Sequence, residues 1–224
     1  MPVVREELGP SLPQLLEPRW SVLSHRRRIA VVVAAIVFLA LLVAAREALR
    51  ATPLEPIVVR EPFGFNLVHR PELKQVAPGP GEVLRLQAEP ASKTEERFIV
   101  RKLTVPPYTG DVSSAFLPMA SRKLAELRAA DPHVAYRGEG KARINLSPGY
   151  QLAYQTRRAG KLVFGKIFFL VPEPANGEPQ TREGAELDLV SQFSTGTTAS
   201  LTDVGNTYLL KAPLRSFRFG TERP

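Results

Sequence analysis

Residues 150–171 read YQLAYQTRRAGKLVFGKIFFLV, and this stretch decides the fold class. Its first half alternates, with Tyr150, Leu152 and Tyr154 on one side of an extended chain. Its second half, from Leu162 to Val171, is the most apolar strand candidate in the sequence, and we expect it at the centre of a sheet. Only the tight turn at residues 159–161 separates the two, so the pair indicates antiparallel strands.

Further segments on both sides of this hairpin show the same strand-like alternation. They are residues 63–69, 83–88, 97–105, 185–193, and two short runs, 133–137 and 142–146, on either side of a Gly-Glu-Gly kink. Short connections dominate the second half of the chain, so the order predicts a mainly antiparallel sheet.

One amphipathic helix interrupts the strands. Leu117, Ala120, Leu124 and Leu127 recur at helical spacing, which predicts a stripe that packs on the sheet as core. A second, weaker helix is expected at about residues 199–210, before a closing strand or coil. Together these patterns predict an α+β fold, a mainly antiparallel sheet with helices packed on it.

The N-terminal region carries a different signal. Residues 29–45 contain no charged or polar side chain, and as a helix they span about 26 Å, close to the apolar core of a bilayer. The flanking basic residues are Arg26, Arg27, Arg28 and Arg46, and the cluster on the N-terminal side favours a cytoplasmic N-terminus. Two alternatives remain open, a cleaved signal peptide and a buried helix of a soluble protein.

These patterns predict the following division of the chain. Residues 1–28 form a disordered cytoplasmic tail, 29–45 a single transmembrane helix, 46–62 a proline-containing tether, and 63–220 an α+β domain outside the cytoplasm. The expected localisation is therefore the cell membrane, with membrane lipid as one partner.

Three short stretches resemble the Mog1/PsbP-like α/β/α sandwich. They are residues 63–71 (FGFNLVHRP), the hairpin formed by residues 147–154 and 161–170, and residues 214–219 (LRSFRF). The resemblance covers about residues 60–220. It implies the sandwich fold and a role in binding, assembly or scaffolding, and it transfers no catalytic residue because the family shares none.

The residues themselves offer little chemistry. The chain has no cysteine, which excludes disulfides, thiolate metal sites and cysteine nucleophiles. His69 and His133 lie far apart, and no serine stands in a nucleophile motif. The paired carboxylates Glu95, Glu96, Glu186 and Asp188 are expected to lie on strand faces or edges, where water solvates them. We therefore expect no catalytic residue, no cofactor and no metal site.

The formal net charge of +8 is spread along the chain. Basic residues recur on the strands and at the hairpin, where they either protect sheet edges or form an anionic-ligand face. The candidates for such a face are Arg101, Lys102, Arg157, Arg158, Lys161 and Lys166. Nucleic acid is not an expected partner for a domain outside the cytoplasm.

The leading hypothesis is a non-catalytic, membrane-anchored binding or assembly module of a bacterial cell envelope. Its partner would be another envelope protein or an anionic cell-wall polymer. The alternatives are an envelope enzyme, such as a hydrolase with an unrecognised site, and a structural spacer without a ligand. Converging ionisable groups in a concave site would distinguish the hydrolase from the binding module.

Overall fold

The computed structural model describes residues 24–50, 53–88, 95–173, 182–194 and 198–224. The chain divides into two compact units, Met1–Thr52 and Pro53–Pro224. In the first unit the described residues form one helix, α1 (His25–Arg50).

The second unit contains ten strands and two α-helices among its described residues. In chain order these are β1 (Glu55–Val59), β2 (Phe65–His69), β3 (Leu73–Val76), β4 (Glu82–Ala88), β5 (Glu96–Thr104), α2 (Ser113–Ala130), β6 (Ala135–Ile144), β7 (Ser147–Arg158), β8 (Lys161–Leu170), β9 (Glu183–Gln192), α3 (Tyr208–Ser216) and β10 (Arg218–Phe219). A short 3₁₀ helix, Leu201–Asp203, precedes α3.

Helix α1 forms over the apolar run, and Arg26, Arg27, Arg28 and Arg46 all lie within it. Measured by length and hydropathy together, none of the helices in the described residues qualifies as a membrane span. The predicted transmembrane helix at residues 29–45 is therefore not confirmed. The predicted cytoplasmic tail falls outside the described residues, apart from 24–28.

Seven strands form one sheet in the order β3-β4-β5-β9-β8-β7-β6, and every neighbouring pair is antiparallel. This confirms the antiparallel α+β prediction. Strand β8 is interior, as its apolar sequence predicted, but the middle position belongs to β9. A second sheet, β1-β2-β10, has three strands.

The two faces of the large sheet are covered differently, and we name each face by the helix that packs on it. The α3 face carries Leu86, Phe98, Leu187 and Phe168, which form one core with β2 and with Leu210 of α3. This core is the larger of two clusters of buried apolar residues, the other of which lies under α2. Its burial therefore supplies the larger part of the hydrophobic stabilisation of the unit.

On the α2 face, helix α2 covers only part of the sheet. Its Phe116 is fully buried and stacks on Phe169 of β8, with ring centroids 6.3 Å apart. Leu117, which the sequence stripe placed in the core, is 48% exposed, so that part of the prediction is wrong. The large aromatic ring of Phe116 sets the rotation of the helix, and Ala120 remains on its buried side.

Three other elements differ from the sequence-based expectation. Residues 55–59, assigned to the tether, form β1 and pair with β2. Strand β6 runs continuously through the Gly-Glu-Gly kink, because a bulge between Tyr136 and Gly138 absorbs the irregularity. The C-terminal helix α3 begins later than predicted and extends through Ser216.

A close approach between two strands explains one glycine of the hairpin. Gly165 of β8 pairs with Tyr154 of β7, and a Cβ atom added at Gly165 would overlap the Tyr154 ring. Tyr154 is only 2% exposed, so its ring has little room to move. The absent side chain at residue 165 therefore makes room for the aromatic ring.

We expect Gly165→Ala to lower the free energy of unfolding by about 2 kcal/mol, because the added methyl group overpacks this contact. Gly140→Ala is the matched control, since a Cβ atom there would meet nothing within 4 Å. Urea denaturation of the two variants checks the expectation. Equal stabilities would contradict the proposed ring contact.

Candidate functional site

The six residues predicted to form an anionic-ligand face lie in different parts of the sheet. Arg157, Arg158 and Lys161 are exposed at the β7–β8 hairpin. Arg101 lies on the α2 face, whereas Lys166 lies on the α3 face. Lys102 forms an exposed ion pair of 2.8 Å with Glu183. The structure thus does not bring the six side chains together.

Arg101 is the centre of a charge network on the α2 face, over the strands that α2 leaves uncovered. Its guanidinium donates to Glu82 at 2.9 Å and to Glu186 at 3.1 Å, and it lies 3.5 Å from Asp188. Lys123 of α2 lies 2.6 Å from the same Glu186 oxygen, and Arg85 donates to Glu82 at 2.7 Å. Strands β4, β5 and β9 and one helix therefore meet in a single polar cluster.

Glu186 and Asp188 are only 9% and 8% exposed. The prediction that these two carboxylates are solvated is therefore wrong. Hydrogen bonds from Arg85 help to lower the pKa of Glu82 to about 2. Burial raises the pKa of Asp188, while Arg101 acts in the opposite direction. The basic side chains satisfy most of these oxygens, which is the arrangement expected of a structural cluster.

Glu96 is a second buried carboxyl group, 2% exposed, so it too was misread as solvated. Burial raises its pKa to about 7, although hydrogen bonds from Ser191 and Thr198 lower it. The Ser191 hydroxyl donates to Glu96 Oε1 at 2.6 Å. These partners are hydroxyl groups of the same unit, so Glu96 is held as part of the packing.

A concave surface with a basic lining lies on the α3 face, and we call it the basic groove. Its volume is about 220 Å³. It is lined by Lys141, Ala142, Arg143 and Ile144 of β6, Gln151 of β7, Lys166 and Phe168 of β8, and Val204, Asn206, Leu214 and Arg215 beyond β9. Lys166 and Arg215 are its basic residues on this face, because the register of β6 places the side chains of Lys141 and Arg143 on the α2 face. None of the described lining residues is acidic.

The two cations of the groove come from different elements, Lys166 from β8 and Arg215 from α3. Lys166 is half-buried, and its ammonium group donates to the carbonyl of Val204 at 3.1 Å. Burial lowers the pKa of Lys166, because desolvation disfavours its charged form. Arg215 of α3 donates to the side chain of Asn206 at 2.8 Å, which holds the guanidinium beside the groove. The Asp203 carboxylate acts in the opposite direction on the pKa of Lys166, and an anion bound in the groove would act as Asp203 does.

Lys141 and Arg143 of β6 contribute to the lining of the groove, but their side chains project toward the α2 face. Lys141 pairs with Asp111 at 2.6 Å, and Arg143 pairs with Glu173 at 3.3 Å. All four side chains of these pairs are well exposed, so the pairs are weak and open to exchange. Lys166 is one of the residues predicted from the sequence, whereas Arg215 is not, because only the packing of α3 brings that helix beside β8.

Comparison with known proteins finds similarity only at the level of solved structures. No protein-family model and no curated protein matches the chain. The chain is similar to the solution structure of the cyanobacterial PsbP protein CyanoP from Synechocystis, with 9% sequence identity and a TM-score of 0.49. That match covers 75% of this chain and 93% of the other.

A second similar structure is LpqN, described as involved in cell envelope biogenesis of Mycobacterium tuberculosis. It has 15% identity and a TM-score of 0.43, and the match covers 76% of this chain and 94% of LpqN. The PsbP-like resemblance drawn from the strand motifs therefore recurs among the solved structures. At these identities the likeness concerns the fold alone.

We expect Arg101→Met to lower the free energy of unfolding by about 3 kcal/mol, because it leaves buried carboxylates without their shared cation. Lys102→Met removes one positive charge from the next residue, but its ion pair is exposed, so its effect should stay below about 1 kcal/mol. Chemical denaturation measures both. Similar losses in the two variants would show that the Arg101 network is not a structural centre.

Proposed function

We propose that this protein is a non-catalytic binding module of a bacterial cell envelope, held at the membrane by residues 29–45. Its ligand is an anionic group of an envelope partner, bound in the basic groove. The observation that carries this proposal is the groove itself, in which Lys166 and Arg215 face one concave surface with no carboxylate in the described lining.

The composition of the groove suits an anion carried by a larger molecule. Lys166 and Arg215 supply charge and hydrogen-bond donors, while the half-buried Ala142 and Ile144 supply apolar contact area. The groove, at about 220 Å³, is smaller than a typical small-molecule pocket, so its ligand has one part bound and another part outside. A polymer or a protein segment meets this condition.

A catalytic role is less well supported by the geometry. Ionisable groups do converge in the Arg101 network, but Glu82 and Glu186 each accept hydrogen bonds from two cations. A general base needs a free lone pair directed at a substrate, and these two carboxylates are already engaged. Asp188 Oδ1 has no hydrogen-bond partner among the described residues, but it is buried away from solvent and therefore from a substrate. We therefore assign the network to stability and the groove to binding.

The membrane part of the proposal rests on the side chains of α1. Phe38 and Leu39 are each 64% exposed, and Leu41 is 62% exposed. A helix that is apolar on all sides is stable only when lipid or protein surrounds it. In the sequence, arginines flank the apolar run on both sides, which suits lipid because basic side chains beside an apolar segment generally extend to the headgroups.

We expect the double variant Lys166→Met, Arg215→Met to bind fluorescein-labelled polyphosphate roughly a hundredfold more weakly than the wild type, at about tenfold for each charge-assisted contact. Fluorescence anisotropy at low salt measures this affinity, and titration with unlabelled poly-glutamate compares carboxylates with phosphates.

The control is Arg157→Met, Lys161→Met, which removes the same charge from the exposed β7–β8 hairpin. It should change the affinity far less than the groove variant does. Equal losses in both variants would mean that binding follows net charge alone, and wild-type protein that binds neither probe would refute the anionic-ligand proposal.

We further expect the full-length protein to sediment with membranes and to resist extraction by alkaline carbonate. Leu39→Lys combined with Leu42→Lys should release it, because each lysine at mid-membrane costs about 3 kcal/mol. Leu39→Ala combined with Leu42→Ala should stay in the pellet. Wild-type protein in the soluble fraction would refute membrane attachment.

A further inference from the structure

Strand β6 is an unusually long free edge. It has 10 residues, whereas the strand at the opposite edge of the sheet, β3, has 4. No strand within the described residues pairs with the outer side of β6. Long free edges are rare because they present unpaired backbone donors and acceptors to other chains.

The pairing of β6 with β7 shows which backbone groups point outward. Opposite residues of antiparallel strands alternate between pairs that exchange hydrogen bonds and pairs whose groups point away from each other. Arg143 is opposite Pro148, which has no N–H group, and the carbonyl of Pro148 accepts from Val171 on the β8 side. The backbone groups of Arg143 therefore point outward, and by alternation those of Lys141 and Glu139 do so too.

Concave surfaces flank this edge on both faces of the sheet. The basic groove lies on the α3 face, where a Cβ atom at Gly138 or Gly140 would meet nothing within 4 Å. A cavity of about 330 Å³ lies on the other face, lined in part by Asp111, Lys141 and Arg143. Successive side chains of a strand point to opposite faces, so a strand added at β6 would place its side chains alternately toward the two surfaces.

Charge determines which strand fits there. Arg137, Lys141 and Arg143 lie on β6 itself, and Lys166 and Arg215 lie in the adjacent groove, against Glu139 as the acidic residue of the strand. A second copy of the chain would bring the same basic residues together, which is unfavourable. An acidic strand instead meets cations that are only weakly paired.

We propose that β6 binds an extended acidic segment of a partner protein, which joins the sheet as an eighth strand and directs carboxylates into the basic groove. This inference rests on the proposed function and names its partner as a protein. The main chain of the segment would exchange hydrogen bonds with Glu139, Lys141 and Arg143. Its acidic side chains on the α3 side would approach Lys166 and Arg215 across the glycines of β6.

A peptide as long as β6 tests the backbone part of the proposal. The probe is a capped peptide that alternates glutamate with threonine, and two derivatives carry N-methyl groups on alternate backbone nitrogens, offset by one residue. One derivative blocks the edge that pairs with β6, and the other blocks the edge that faces solvent. We expect the first to lose binding at least about tenfold and the second to bind like the parent peptide.

Two variants of the full-length protein test the same point from the other side. Glu139→Pro removes one outward N–H group, whereas Glu139→Ala keeps that group, and both variants lose the same carboxylate. Proline is tolerated at strand edges where its nitrogen faces solvent, and circular dichroism checks that both variants are folded. Only Glu139→Pro should weaken peptide binding, while both should bind polyphosphate like the wild type.

The results separate this inference from the proposed function. One outcome is that polyphosphate binds in the groove and both methylated peptides bind with the same affinity as the parent peptide. This result would support anion binding by the groove and refute strand addition at β6. The same holds if polyphosphate binds and the parent peptide does not. If neither probe binds the wild-type protein, the proposed function fails and this inference fails with it.

Discussion

The structure depends on one hydrogen-bonded ladder that runs through seven antiparallel strands. Each interior strand satisfies its backbone groups on both sides, and such a ladder necessarily ends in two edges. At one end, β3 keeps the free edge short. At the other end, β6 leaves a long edge next to the basic groove, which holds Lys166 and Arg215.

The covering of the two faces explains why the groove and the charge network are separate. On the α3 face, helix α3 and the small sheet bury the apolar residues of the central strands, while Ala142 and Ile144 of β6 are only partly buried beside the groove. On the α2 face, one helix packs on β6 and β7. The strands beyond it are covered by long arginine side chains and their carboxylate partners, centred on Arg101.

Much of the fold could be predicted from local patterns. The alternation around Tyr154 and the apolar run through Phe168 predict the β7–β8 hairpin, because both depend on neighbours in sequence. Strand β1 was missed because the prolines around Ile57 suggest a tether, whereas its pairing with β2 decides its conformation. The exposure of Leu117 was missed because the phase of α2 depends on the contact between Phe116 and a distant strand.

The candidate site was harder to predict, for a related physical reason. The carboxylates of Glu186 and Asp188 look solvated in sequence, and only the register of β9 against β5 places them beside Arg101. Arg215 enters the groove only because α3 packs across the sheet. Basic side chains form a binding site only when tertiary contacts bring them together. The composition therefore predicts that the protein is basic, but not where its basic residues meet.

Amide hydrogen exchange of the full-length protein measures, residue by residue, whether the β6 edge is open. We expect an alternation in β6, in which Gly140, Ala142 and Ile144 exchange slowly because they pair with β7. The amides of Glu139, Lys141 and Arg143 exchange rapidly, since they face outward. Uniform slow exchange along β6 in the isolated protein would show that the edge is already paired, and would contradict the account.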